Sequence, residues 1–403
     1  MNLLDRQPVS RRQALGIAAN LGALGMTRAF FSARPLSLFG GDGQEELDRA
    51  VGDASDWLDA RAVVRELSLE QKVAQLFVIK PEAVLGQTPI LSVDGDLKAA
   101  LLRRPIGGVM LKDSSFVDPE QARGLTQELQ ECSLEACGLP MLIAADEEGG
   151  TVVRVADKAS FGVEDPGDMR ALGNTGDVDL AESEANRVGS YLRDIGVNLD
   201  FAPVADITDD QDNFVYLRSF GGDAQLVAEM VAAQVRGFGR AGTLCSPKHF
   251  PGIGGAAGDA HVESISLDRT LDEMRERELV PFAAAIKEDV PLIMVGHMTC
   301  TGIDPSMPAS LSHVMVTEVL REEMGYGGAI ITDSMVMAAI NDHFSQEEMG
   351  VLALEAGCDL ILTPENWYAV FDGIIDAVGS GRLTEKRIDE SVCRIVRLKR
   401  RIG

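Results

Sequence analysis

Ionisable side chains recur just past short apolar runs of this chain. Asp146 follows Met141–Ala145 directly, and Asp206 lies just past Val197–Ala202. Lys248 and His249 follow Thr243–Pro247, His297 follows Leu292–Gly296, and Asp333 follows Ala329–Thr332. An Asp that caps a fully apolar strand is held rigidly and partly desolvated. It can serve as a nucleophile, a general base or a metal ligand. The plainer role for Asp333 is an N-cap for the following helix. Asp146 opens Asp146-Glu147-Glu148-Gly149-Gly150-Thr151-Val152-Val153-Arg154, whose paired glycines permit a tight turn that brings Arg154 back over the carboxylate. Such a pair can grip hydroxyl groups, or it is a structural ion pair. Arg218, beside Ser219 and Phe220, reads as a packed and aimed guanidinium, and His297 as a satisfied core histidine.

The densest stretch runs from Lys248-His249-Phe250-Pro251-Gly252 through Ile253, further glycines and alanines to Asp259-Ala260-His261. So little side-chain bulk cannot build core, and glycine frees the backbone to bend. An Asp two residues from a His is a means of orienting an imidazole for proton transfer. The alternative is a flexible surface loop whose polar residues happen to cluster. Two of the five His of the chain lie here, which favours the functional reading.

These residues need a scaffold, and the chain from Leu67 onward supplies one. Apolar runs at Val73–Ile79, Gly108–Leu111, Met141–Ala145, Val197–Ala202, Thr243–Pro247, Leu292–Gly296, Ala329–Thr332 and Leu360–Thr363 alternate with helix-like stretches such as Pro119–Cys137 and Ala224–Ala241. Continuous apolar runs suit strands buried on both faces, and alternation with helices suits a parallel sheet. Eight such units predict a closed (β/α)8 barrel rather than an open doubly wound sheet. The polar residues then gather at the C-terminal ends of the strands, where barrel active sites lie.

Composition narrows the partners. Acidic residues number 63 against 37 basic, a net charge of −26, which argues against nucleic acid and anionic membranes. A neutral or weakly charged substrate fits better. The six Cys show no CxxC or Cys/His metal spacing and read as buried free thiols. A divalent-metal role for Asp146, Glu147 and Glu148 lacks a partner at useful spacing. Near the N-terminus, Ser10-Arg11-Arg12-Gln13-Ala14-Leu15 precedes an apolar, small-residue stretch and looks like a twin-arginine export signal. Residues 1–35 are therefore expected to be a leader, 36–60 a linker ending in an acidic helical piece, and 61–403 the barrel. Export is the expected localisation, with an uncleaved anchor or a cytoplasmic protein with a basic leader as alternatives.

From about Leu67 to Gly403 the chain resembles the family 3 glycoside hydrolases, in their β-N-acetylglucosaminidase branch. The likeness rests on Leu69-Glu70-Gln71-Lys72-Val73-Ala74-Gln75-Leu76-Phe77, on Asp146-Glu147-Glu148-Gly149-Gly150 with Arg154, and on Arg218-Ser219-Phe220-Gly221. It rests also on Lys248-His249-Phe250-Pro251-Gly252, Asp259-x-His261 and Thr332-Asp333. The resemblance implies a (β/α)8 barrel, with Asp333 as nucleophile and His261 as acid/base paired with Asp259. Asp146, Arg154, Arg218, Lys248 and His249 would bind a terminal N-acetylglucosamine. The implied enzyme is a retaining exo-β-N-acetylglucosaminidase without metal or cofactor, acting on peptidoglycan fragments or related glycans. Three positions depart from the family pattern: Ile253 stands where His is usual, Thr151 where Arg is frequent, and Glu147 where Gln is common. Rival readings are a phosphorylase that uses phosphate as acceptor, a catalytically idle carbohydrate-binding protein of the cell wall, and a metal-dependent barrel hydrolase.

Overall fold

A computed structural model describes residues 53, 55–256 and 264–402. Ten strands are present among them: β1 Phe77–Ile79, β2 Gly108–Met110, β3 Leu142–Ala145, β4 Leu199–Asp200, β5 Leu244–Cys245, β6 Ser266–Leu267, β7 Leu292–Val295, β8 Thr299–Cys300, β9 Ala329–Ser334 and β10 Leu360–Leu362. Eight form one parallel sheet in the order β5-β4-β3-β2-β1-β10-β9-β7, and β6 pairs with β8 outside it. Every expected run contributes a strand, and the expected (β/α)8 barrel is the observed fold. The first run is shorter than expected. Val73 and Ala74 end the helix Leu69–Ala74, capped by Ser68 and Gln71 in a reciprocal capping box. Only Phe77–Ile79 is strand.

The sheet closes between β5 and β7 through the residues just after β5. Phe250 N donates to Met294 O at 2.8 Å, Met294 N to Pro247 O at 3.1 Å and Gly296 N to Phe250 O at 2.9 Å. Lys248 bridges Val204 on the other side. The segment read as a chemical loop is thus the seam of the barrel. Backbone bonds on both flanks fix Lys248 and His249, and the peptide between them is cis.

Register carries one facing around the sheet, because paired residues of parallel strands share a face. Val78 pairs with Gly108, Gly108 with Leu142, and Met110 with Ala144. Phe77 packs edge-on against Trp367 of the outer helix Trp367–Gly379, with ring centroids 5.8 Å apart, so it points outward. Val78 and its partners therefore point into the barrel, and Asp146, two residues beyond Ala144, does so at the mouth.

The outer helices keep their expected places, Pro119–Cys137 and Ala224–Ala241 to the residue. The stretch 271–288 divides into Leu271–Glu276 and Val280–Lys287, where Pro281 stands in the first turn of the second piece. Residues 55–64 are helical, and Ala60 and Val63 are fully buried, so packed structure begins inside the stretch read as linker. The leader and the twin-arginine sequence lie outside the described residues. Among those described, no helix is long and apolar enough to cross a membrane. All six Cys are buried and free.

Candidate active site

The turn after β3 folds around Glu147. Its carboxylate accepts the backbone N–H groups of Val155 at 3.0 Å and Ala156 at 2.8 Å, and the Tyr191 hydroxyl at 2.8 Å. Glu147 thereby shapes the loop from inside and faces no substrate. The hairpin aims Arg154 back at the mouth, where it lies 3.6 Å from Asp146 and 3.3 Å from Asp113. Gly150 has φ +58°, and a Cβ there would lie 2.1 Å from Asp168 Oδ1, so glycine is required.

Four side chains form one buried ionic network. Lys248 Nζ donates to Asp146 Oδ1 at 2.9 Å and approaches Glu148 Oε1 at 2.6 Å. Arg218 grips Glu148 through Nε at 2.7 Å and Nη2 at 2.8 Å, a two-point fork. Burial opposes the charge on Glu148, but Arg218 and Lys248 outweigh it and hold the carboxyl far below its usual range. Burial likewise opposes the charge on Lys248, and Asp146 and Glu148 outweigh it and raise its pKa. The network stays ionised, and its donors cannot swing.

His249 is oriented from beneath by Asp206, whose Oδ2 lies 2.7 Å from Nδ1. Asp206 Oδ1 accepts Ile253 N at 2.8 Å, so one fully buried carboxylate ties the imidazole to the next turn. The outer ring nitrogen of His249 faces Arg218 at 3.5 Å.

Asp333 sits in β9 across the mouth, its Oδ1 accepting Ser334 N at 2.7 Å. Burial disfavours its charge, but His249, His297 and the Ser334 amide outweigh that and hold its pKa below the ordinary value. His297 lies beside it, between Ser310 Oγ at 2.7 Å and Ser334 O at 3.1 Å. Burial lowers the pKa of His297, which favours the neutral ring. It is hydrogen-bonded on both nitrogens, as expected of a satisfied core histidine, yet it also lines the carboxylate.

Asp146, Arg154, Arg218, Lys248, His249 and Asp333 thus converge on the C-terminal mouth. Asp259 and His261 lie outside the described residues. Ahead of them, Gly254 proves packed rather than slack. A Cβ on Gly254 would lie 2.4 Å from Ile207 O, and Asn213 Nδ2 holds Ala256 O at 2.9 Å. Sequence reasoning did not single out two side chains that anchor the candidate site's cations. Glu148 was visible only as part of an acidic motif, and Asp206 only as one more carboxylate past a strand.

Among the described residues no group of His, Cys, Asp and Glu is arranged to hold a metal ion. The carboxylates Asp146, Glu147 and Glu148 are all committed to cations or backbone N–H groups.

A family model described as the glycosyl hydrolase family 3 N terminal domain matches residues 68–398. A β-hexosaminidase, LpqI, of Mycobacterium tuberculosis is 33% identical, over 80% of this chain and 83% of its own length. β-Hexosaminidase A of Pseudoalteromonas piscicida is 30% identical over 76% of this chain, which spans 55% of that protein. The solved family 3 β-N-acetylglucosaminidase of a Paenibacillus species superposes with a TM-score of 0.78 at 37% identity, covering 83% of this chain and 63% of that one.

Proposed function

The chain belongs to glycosyl hydrolase family 3, and on that premise we propose that it is a retaining exo-β-N-acetylglucosaminidase. The observation that carries this reading is the ionised Asp333 facing the Asp146–Lys248–Glu148–Arg218 network across one mouth. A depressed carboxyl pKa keeps Asp333 charged at neutral pH, as attack on an anomeric carbon requires. Asp146, Arg154, Lys248, His249 and Arg218 offer fixed donors and acceptors for the hydroxyls and amide of a terminal N-acetylglucosamine. His261 gives a proton to the leaving oxygen and later takes one from water, with Asp259 holding its tautomer. Two carboxylates do this work in most retaining glycosidases. No metal or cofactor enters the scheme. The substrate is a glycan ending in N-acetylglucosamine, such as a peptidoglycan fragment, met outside the cytoplasm. Support for that location is the twin-arginine-like leader and a 33% identical fungal relative described as a secreted glycosyl hydrolase.

A panel of aryl β-N-acetylglucosaminide, β-glucoside and β-xyloside, assayed with and without phosphate, tests the reading. Release of N-acetylglucosamine from the first alone is expected. A sugar 1-phosphate would make the protein a phosphorylase, and binding without turnover would make it an idle carbohydrate-binding protein.

A further inference from the structure

Glu147 and Asp200 are buried carboxyls joined through backbone, since Glu147 N donates to Asp200 Oδ1 at 2.9 Å. Leu199 pairs with the inward-facing Ala144, so Asp200, paired with Ala145 and Cys245, points out of the barrel towards the helices. The two carboxyls are wired very differently. Glu147 Oε2 accepts Arg154 N and Val155 N, and Oε1 accepts Ala156 N and the Tyr191 hydroxyl. A carboxylate has about four lone-pair positions, and here all are filled. Successive backbone N–H groups at 154, 155 and 156 make an anion nest, with no oxygen left to carry a proton. Asp200 is fully buried, accepts only the Glu147 amide among the described residues, and has no partner for Oδ2. A bare buried oxygen beside a second carboxylate is costly when charged, and a proton removes that cost. Burial holds the Asp200 carboxyl well above the usual range, the Glu147 and Asp146 charges add to this, and the Glu147 amide and Lys248 pull the other way. The nest begins at Arg154. Its guanidinium lies 3.3 Å from Asp113 and 3.6 Å from Asp146, longer than a good hydrogen bond, and its Nη1 turns back to Val153 O at 3.0 Å. The carboxylates it faces therefore hold Arg154 loosely, and its place is set by a hairpin backbone wired to Glu147.

We propose that Glu147 is the positioning residue for Arg154, holding the hairpin by a charge it keeps because its buried neighbour Asp200 carries the proton of the pair. This rests on the N-acetylglucosaminidase reading, in which Arg154 meets the terminal sugar. The sugar feels Glu147 only through where Arg154 stands. Glutamine cannot take its place. Whichever way the amide turns, its NH2 faces at least one backbone N–H of the nest, a donor against a donor. Asn at 200, by contrast, reproduces a neutral carboxyl and still offers an oxygen to Glu147 N.

The test is a double-mutant cycle on an aryl β-N-acetylglucosaminide. Glu147→Gln should raise KM about tenfold, the scale of a charge-assisted hydrogen bond, and leave kcat within about twofold. In an Arg154→Ala background the same substitution should change KM by less than about twofold. An unchanged KM in the parent background, or an equal rise in both, overturns the positioning role, because a purely structural carboxylate would act without Arg154. If Glu147→Gln does not fold, Tyr191→Phe, which removes one donor to Glu147, takes its place in the cycle with a rise of about threefold expected. The proton is read separately, by infrared difference spectroscopy at neutral pH. The wild type should show the carbonyl band of a protonated buried carboxyl that Asp200→Asn lacks. Loss of a carboxylate band instead, or no difference in the carbonyl region, overturns the assignment of the proton to Asp200. The infrared arm needs no turnover. If the wild type does not hydrolyse the aryl glycoside, the N-acetylglucosaminidase reading fails and the band still decides where the proton lies. If it does hydrolyse it while Glu147→Gln is silent, only the positioning role fails.

Discussion

Two buried ionic clusters occupy opposite ends of the barrel. At the bottom, Asp359 immediately precedes β10 and is fully buried. It accepts Arg321 at 2.5 Å, Arg394 at 3.1 Å, Ser391 Oγ at 2.7 Å and Ile330 N at 3.0 Å. Both of its oxygens are filled, and every partner belongs to the fold. At the top, among the described residues, Asp333 accepts only the Ser334 amide, and the second oxygen of Asp146 meets Arg154 no closer than 3.6 Å. Both clusters bury charge. The lower one uses all its valences internally, while the upper one leaves some free at a surface a ligand can reach. That is the general division of a barrel, with stability at the N-terminal face and chemistry at the C-terminal face.

Replacing a carboxylate from each end breaks the comparison most sharply. Asp333→Ala should lower kcat/KM on an aryl β-N-acetylglucosaminide by about 10⁴-fold or more and leave the melting curve nearly unchanged. Retained turnover would move the nucleophile elsewhere.

Asp359→Asn should do the reverse. Removing one partner of a buried charge cluster costs about 3–5 kcal/mol, read by denaturant unfolding, with the kinetics of the folded fraction preserved. The Arg321, Arg394 and Arg387 charges outweigh burial and hold the Asp359 pKa below its ordinary value. Its stabilising contribution is therefore present above the unfolded pKa of about 3.9 and is lost as pH falls through the lower folded value. Wild-type stability should drop on acidification below about pH 4, and the Asn variant should show a flatter curve there. An equally steep curve would assign the acid sensitivity to other carboxylates.

Arg218→Lys probes whether the upper network works by geometry or by charge alone. Lysine keeps the charge but loses the two-point grip on Glu148. KM should rise about tenfold to a hundredfold with kcat less affected, as expected for charge-assisted hydrogen bonds. A silent substitution would mean that Lys248 alone holds Glu148.

The barrel was legible because its signal is repeated: eight apolar runs, each followed by a helix, over-determine the topology even where single boundaries slip. Val73 and Ala74 slipped because an apolar helix end and an apolar strand start look alike when only Gln75 and Leu76 separate them. Asp146, Lys248, His249 and Asp333 were legible as candidates because strand ends announce themselves by a sudden change of polarity. Asp206 and Glu148 were not, because their work lies in pairings across more than 40 residues of sequence, His249 with Asp206 and Arg218 with Glu148. No local pattern encodes which cation meets which carboxylate. Gly254 differs from the expectation for a similar reason: Ile207 O presses on it, a contact invisible along the chain.

Ile253 gives the mildest test, at the edge where the pinned segment meets the rest of the loop. Its side chain is buried, and its amide shares Asp206 with His249. An imidazole there would bring a polar ring into a site whose nearby carboxylate, Asp206, is already committed to His249 and Ile253 N. Ile253→His should therefore cost about 1–3 kcal/mol of stability, the usual penalty for an unpaired buried polar group, while kcat/KM changes by less than the Arg218 variant. A gain in stability or activity instead would show that the imidazole finds a partner here, and that the loop accepts the family's usual residue without rebuilding the Asp206 anchor.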